Sequence, residues 1–385
     1  MKSRRLVFLF AAALAMAFNY ATPAQAGGKA VWENPENPCN KLILKGDMRY
    51  RMETNESTDQ SGASDVKTKD TRRRIRLRFG GVYNTGMGVS AGFRLATNGG
   101  NLSSQHQTLG LGGNAGSNTA WGTDRAYLQY AHGSGLLVIA GKAGIPILQL
   151  SDAWWDTDLS PEGYVIAYTG VENLTIGVTR YVITERKDVQ SSATDGDEDD
   201  LVTAITVAYG MEAGPVNLKL GATSATWANG RGSNKPAGTK DVTYNLIVVG
   251  AKMDQLSGGI EYFTSNAGTT SSDLNQSLTW SGSHTGFESA DKTGMVIHVR
   301  YKINDMLGIR AYYYDMGALS APIPQDDFQM MDNFTGTRLQ LDIAFAGMKI
   351  DLRAYNQSSK NNDIDGTDAS KWKASRLQAN FNVGF

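Results

Sequence analysis

From residue 41 onward, apolar and polar residues alternate in short runs that recur about every 22 residues. Period two sends successive side chains to opposite faces of a strand, so each run reads as a β-strand with one greasy and one wet face. The sharpest case is LQANFNVGF, where Leu377, Ala379, Phe381, Val383 and Phe385 are apolar and Gln378, Asn380 and Asn382 lie between them. Sixteen runs can be placed, at 42–53, 72–83, 89–97, 123–132, 136–146, 164–170, 174–186, 200–210, 215–227, 240–253, 256–265, 292–303, 307–316, 334–345, 348–357 and 372–385. Long polar loops and short turns join them in strict rotation. The pattern predicts an all-β fold, a closed transmembrane antiparallel β-barrel of 16 strands with both ends on the short-turn side. A soluble sandwich or propeller would have shorter strands and turn its apolar faces inward.

Composition narrows the class. The 43 glycines and nine prolines suit many tight turns, and the mean hydropathy of −0.33 fits a barrel in which every second residue meets water. Nothing after residue 26 approaches 18 consecutive apolar residues, which excludes helical membrane spans. At the start, Lys2, Arg4 and Arg5 precede an apolar run from Leu6 to Phe18 and then Ala24-Gln25-Ala26. This predicts a secretory signal peptide over 1–26 and hence export. Residues 27–40 read as a short polar periplasmic segment with no assigned role, and 41–385 as the barrel. Without the three signal-peptide bases the chain is net −4, which gives no argument for nucleic acid.

Candidate chemistry is sparse. Cys39 is the only cysteine and lacks a lipobox, so neither a disulfide, a metal cluster nor a lipid anchor is expected. The four histidines are dispersed, Gly-x-Ser-x-Gly is absent and no Ser/His/Asp set can be assembled, so no catalysis and no cofactor are expected. The acidic run Asp195 to Asp200 lacks the spacing of a calcium loop and reads as a solvated tip.

The chemistry that stands out is cationic. In TRRRIRLRF, Arg72, Arg74, Arg76 and Arg78 fall on one strand face and Ile75, Leu77 and Phe79 on the other. An arginine at mid-bilayer on the lipid face costs ~2–4 kcal/mol, so the row is expected to face the lumen. Arg49 and Arg51 precede it, and Arg94 and Arg125 follow, making a basic wall over four adjacent strands. Inward bases (also Lys219, Arg300, Lys302, Arg310, Arg338, Lys349, Arg353 and Arg376) outnumber the inward acids Asp47, Glu53, Glu261, Asp342 and Asp351. The expectation is a modest anion preference. The blander reading is that these bases solvate the lumen and pair with carboxylates across strands.

The strings RRRIRLRFG and GFRLAT, the 16-run architecture over 41–385 and the closing aromatic resemble a general porin of Gram-negative bacteria. That resemblance implies a homotrimer in the outer membrane, surrounded by lipid and lipopolysaccharide. It further implies passive diffusion of small hydrophilic solutes and ions, and a second loop, here 98–122, that latches onto a neighbour. Phe381 and Phe385 would belong to a C-terminal signal read by the barrel assembly machinery. It implies, too, a third loop folded into the lumen as a constriction. Here that is Ile147 to Gly163, with Asp152, Trp154, Trp155, Asp156, Asp158 and Glu162. The tryptophans read as apolar anchors that wedge the loop rather than as a sugar-stacking surface. A substrate-specific channel, or a barrel serving as a platform for an adhesin or outer-membrane enzyme, are the alternatives.

Overall fold

The computed structural model describes residues 30–34, 37–60, 64–97, 104–110, 120–184, 199–228, 241–266, 292–317, 320–322, 327, 333–360 and 372–385. Residues 1–26, where a signal peptide is expected, most of the acidic run and parts of the second loop lie outside these residues.

Sixteen antiparallel strands close the barrel: β2 (Asn37–Asp59), β3 (Val66–Asn84), β4 (Val89–Thr97), β6 (Trp121–Ala131), β7 (Leu136–Lys142), β8 (Glu162–Tyr168), β9 (Leu174–Thr184), β10 (Asp200–Ala213), β11 (Val216–Ala228), β12 (Val242–Met253), β13 (Leu256–Ser265), β14 (Thr293–Lys302), β15 (Leu307–Met316), β16 (Phe334–Phe345), β17 (Met348–Ser359) and β18 (Trp372–Gly384). Two short strands join them, β1 (Ala30–Asn34) and β5 (Gln107–Thr108). The ladder runs in chain order and closes where β18 pairs with β2, from Trp372 opposite Asp59 to Gly384 opposite Asp47. Closure leaves no open edge, the condition for placing backbone polar groups in lipid. No described helix is long and apolar enough to cross a membrane.

Two details depart from the sequence reading. The first strand is longer than 42–53, and Ala30–Asn34 pairs with it (Ala30 opposite Leu44) just below the point where Phe385 bonds Gly46. Part of the segment read as role-free therefore continues the β18 edge. Secondly, strands β2 and β3 run past the expected lengths and pair up to Asp59 opposite Val66. The short turns obey local chemistry: Ala346 and Gly347, between β16 and β17, both have positive φ (48° and 78°), as a two-residue hairpin matching the strand twist requires.

Alternation sorts the faces. Exposed Leu128, Ile166, Val178, Ile205, Ile247, Ile260 and Leu339 point outward and form an apolar band of the kind lipid covers. The inner face is not uniformly polar. From β10 to β17, inward Val202, Ala204, Tyr244, Leu246, Val248, Phe263, Val296 and Tyr314 are buried together with Trp154 and Trp155 of the third loop. Part of the inner wall therefore packs as a hydrophobic cluster against that loop, which strand periodicity does not reveal.

Candidate pore lining

The arginine row and its partners meet in a dense ion-pair lattice. Register sets it: Glu53 stands opposite Arg72, Arg51 opposite Arg74 and Asp47 opposite Arg78 across β2 and β3. Glu53 lies 2.7 Å from Arg72 and 3.8 Å from Arg74, and Asp47 lies 3.1 Å from Arg76 and 2.7 Å from Arg78. Four arginines thus share two carboxylates on the neighbouring strand. Arg51 and Arg76 are almost completely buried. Arg49 donates to Asn382 at 2.5 Å, which ties the wall to β18. Within β17, Arg353 pairs with Asp351 at 2.6 Å, and Arg376 of β18 donates to Asn55 of β2 at 2.6 Å.

Arg94 pairs with Asp124, a partner that the period-two reading passed over. The register shifts between Arg94 and Leu95, so Asp124 becomes an extra residue on β6 and turns inward beside Arg125. Arg125 itself donates to Ser160 of the third loop at 3.2 Å.

The third loop, 143–161, touches both walls. On one side, Glu261 of β13 is fully buried and accepts hydrogen bonds from the Leu150 amide, 2.5 Å away, and the Ser151 hydroxyl. Leu148 packs over Gly221 and Leu150 over Gly259, where a Cβ on either glycine would collide with the leucine. On the other side, Asp158 reaches Arg76 at 3.4 Å and Arg78 at 3.6 Å on β3. Trp154 is 0 % exposed and Trp155 2 %, so neither ring offers a stacking face to a solute. Asp152 accepts from Thr157 at 2.8 Å, and Asp156 accepts from the Asp158 amide at 2.8 Å. Glu162 is not part of this loop. It opens β8 opposite Lys142 and shares the outward, exposed face with Tyr164 and Ile166.

A space of about 240 Å³ remains between the loop and the β15–β17 wall, bounded by Asp152 and Thr157 on one side and Arg310, Arg338 and Arg353 on the other. Arg338 is held flat over the Tyr312 ring, 3.6 Å from its centre.

Two lumen features carry no signal in the sequence pattern. Asp327, between β15 and β16, sits in the arginine cluster 2.8 Å from Arg51 and 3.1 Å from Arg353, and accepts from Arg376 through its carbonyl. Residues 104–110, expected within a latch to a neighbour, bind their own barrel. Leu109 donates to the Arg73 carbonyl at 2.8 Å, and the Gln105 amide group donates to Asp124 at 2.7 Å. A loop that leaves the pattern and returns to its own wall cannot be placed without tertiary contacts.

Phe381 lies on the outward face of β18, and Phe385 follows its last residue. Phe381 packs beside Tyr50, ring centres 6.4 Å apart, and Phe385 exchanges backbone hydrogen bonds with Gly46 at 2.7 and 3.0 Å. Among the described residues no group of His, Cys, Asp or Glu could hold a metal.

With a closed 16-strand wall and these lumen contacts established, residues 33–185, from the end of β1 through β9, match the family described as putative porins. The barrel has the fold of solved porins. Its fold is that of OprB from Pseudomonas putida in a high-pH structure, with a TM-score of 0.55, 9 % identity and 89 % of this chain against 94 % of that one. OmpF of Salmonella typhi, in a complex with daunomycin, gives 0.54 at 13 % identity over 89 % and 98 % of the two chains. A porin from Comamonas acidovorans described as anion-selective gives 0.50 at 14 % identity over 90 % and 100 %. No curated protein matches this chain by sequence.

Proposed function

We propose that this protein is an outer-membrane porin that lets small hydrophilic solutes and ions diffuse passively through a water-filled lumen, without catalysis, and that it assembles as a homotrimer. The observation that carries the reading is the third loop, anchored at Glu261 on one wall and reaching Arg76 and Arg78 on the other. A loop so placed narrows the lumen and leaves a passage with carboxylates facing arginines.

The proposed preference is for anions, and it is modest. In the cluster on β2, β3, β17 and β18, the eight arginines Arg49, Arg51, Arg72, Arg74, Arg76, Arg78, Arg353 and Arg376 meet six carboxylates: Asp47, Glu53, Asp70, Asp158, Asp327 and Asp351. The pairing weakens the field expected from the arginine row alone, and the excess stays positive. Single-channel recording in planar bilayers under a salt gradient tests both parts. Steady conductance with a reversal potential on the anion-selective side is expected, displaced toward cations in the double variant Arg74→Glu/Arg76→Glu. A folded barrel that inserts without ion current returns the platform alternative. A cation-selective wild type removes the anion preference.

A further inference from the structure

The inner face of β6 carries Arg125, Tyr127 and Gln129, each about 7 Å from the next along the strand. The register sets Tyr127 opposite Gly92 on β4 and opposite Gly141 on β7. A Cβ on Gly92 would stand 2.3 to 2.6 Å from the Cζ, Oη and Cε1 atoms of Tyr127. The ring therefore leans over the glycine, along the wall, where any larger neighbour would push it off.

Beside this half-buried ring is a space of about 420 Å³, bounded by β6 and β7 on one side and by the third loop on the other. That volume lies in the range of small-molecule sites. The loop contributes Gln149 and Thr157, each fixed from within the loop. The Gln149 amide donates to the Trp155 carbonyl at 2.8 Å, and the Thr157 hydroxyl donates to Asp152 at 2.8 Å. Arg125 is fixed in turn by its bond to Ser160. Among the described residues that line the space, Arg125 carries the only charge.

An aromatic face is partly negative and attracts the C–H face of a saturated ring. Around it, amide and hydroxyl groups both donate and accept, and a guanidinium donates. A dissolved ion uses no such platform, and a flat aromatic solute leaves the surrounding hydrogen-bonding groups unmatched. We propose that Tyr127 is the floor of a binding site for an uncharged pyranose sugar inside the barrel. The sugar ring lies on Tyr127, its edge hydroxyls reach Arg125 on one side and Gln129 on the other, and Gln149 and Thr157 meet it from the loop. The inference deepens the diffusion reading above and rests on it for the path by which the sugar arrives.

In the test, current through the full-length barrel in planar bilayers is recorded in potassium chloride while glucose is titrated in. Sorbitol, the open-chain polyol of the same carbon number, is the comparison. Glucose should give a saturable interruption of the current, and sorbitol only the drop that viscosity causes. Tyr127→Ala should bind glucose about tenfold more weakly, and Tyr127→Phe, which keeps the ring, should stay within about twofold of the wild type. Gln129→Leu, which keeps the bulk and removes the amide, should bind about threefold more weakly. Folding of each variant is read by heat-modifiable migration.

Equal responses to glucose and sorbitol overturn the site, as does a stronger response to indole than to glucose. So does a folded Tyr127→Ala barrel with wild-type affinity. Where Tyr127→Ala does not fold, Gln129→Leu decides, and an unweakened response to glucose overturns the site. A barrel that conducts without any saturable response to glucose counts against this site alone. A barrel without current counts against the diffusion reading, and glucose binding to the detergent-solubilised protein and its variants, read by saturation-transfer NMR, then decides the site by the same criteria.

Discussion

Asp158, in the third loop, stands 3.4 Å from Arg76, a residue 82 positions earlier on the opposite wall. Arg76 is nearly buried and Asp158 about one-quarter exposed, so this pair is shielded on one side only, and its direct contribution to stability is about 1 kcal/mol or less. Its larger consequence is electrostatic, because it places a negative charge beside Arg76 and Arg78.

Asp158→Asn should therefore leave folding nearly unchanged and displace the reversal potential toward anions. Asp152→Asn, at the edge of the space facing Arg310 and Arg338, should do the same more weakly. Reversal potentials of the two variants in a potassium chloride gradient check this. An unchanged reversal potential in both would mean that the loop carboxylates do not face the ion path.

The loop's anchors should be separable from its charge. Trp154→Ala empties a site that is 0 % exposed and should cost about 3–5 kcal/mol, measured as a lower urea midpoint for loss of the heat-modifiable form. Glu261→Ala strands the Leu150 amide and Ser151 hydroxyl and should cost about 1–3 kcal/mol. Both should turn steady conductance into rapid flicker. Steady current with a wild-type midpoint in either variant would show that the contact does not hold the loop.

Two loop carboxylates should respond to pH with opposite sign. Burial pushes Asp156 well above the ordinary carboxylate range, and the neighbouring Asp158 adds to it. Its folded-state pKa is raised, so its contribution is fully present below the unfolded value and is lost as pH rises through the folded one. Asp156→Asn should accordingly gain stability over the wild type as the medium turns alkaline. Burial alone would raise Asp327 as well, yet Arg51, Arg353 and Arg376 together hold it well below the usual range. Its contribution is present above the unfolded value and lost as pH falls through the folded one. The destabilisation by Asp327→Asn should then be full at neutral pH and vanish in acid. Urea midpoints across pH decide both, and parallel curves for wild type and variants would contradict the assignment.

Barrel closure depends on an absent side chain. A Cβ on Gly46 would fall 2.3 Å from the Phe385 ring and 2.9 Å from the Arg78 carbonyl oxygen. The ring can swing away, but the backbone oxygen cannot. Gly46→Val should cost about 1–3 kcal/mol, and combining it with Phe385→Ala should recover only part of the loss. A single variant as resistant to urea as the wild type would remove Gly46 from the closure.

What the sequence determined by itself is what local geometry fixes. Strand periodicity and turn chemistry depend on residues a few positions apart, so β4 at 89–97, β13 at 256–265, β15 at 307–316 and β16 at 334–345 stand where the pattern put them. The same period placed Arg72, Arg74, Arg76 and Arg78 on one face of β3. The tertiary structure alone decided which charges meet. Glu53 faces Arg72 only through the β2–β3 register, and Asp124 turns toward Arg94 only because a bulge breaks the period. Asp158 and Asp327 enter the arginine cluster from loops with no periodicity to read. The apolar inner wall follows the same rule. Tyr244, Leu246 and Val248 alternate between hydrophobic partners on both faces, and only the third loop lying over them makes the inner side a core rather than a wetted surface. Alternation reports that two faces differ in direction, and what covers each face is settled by segments distant in the chain.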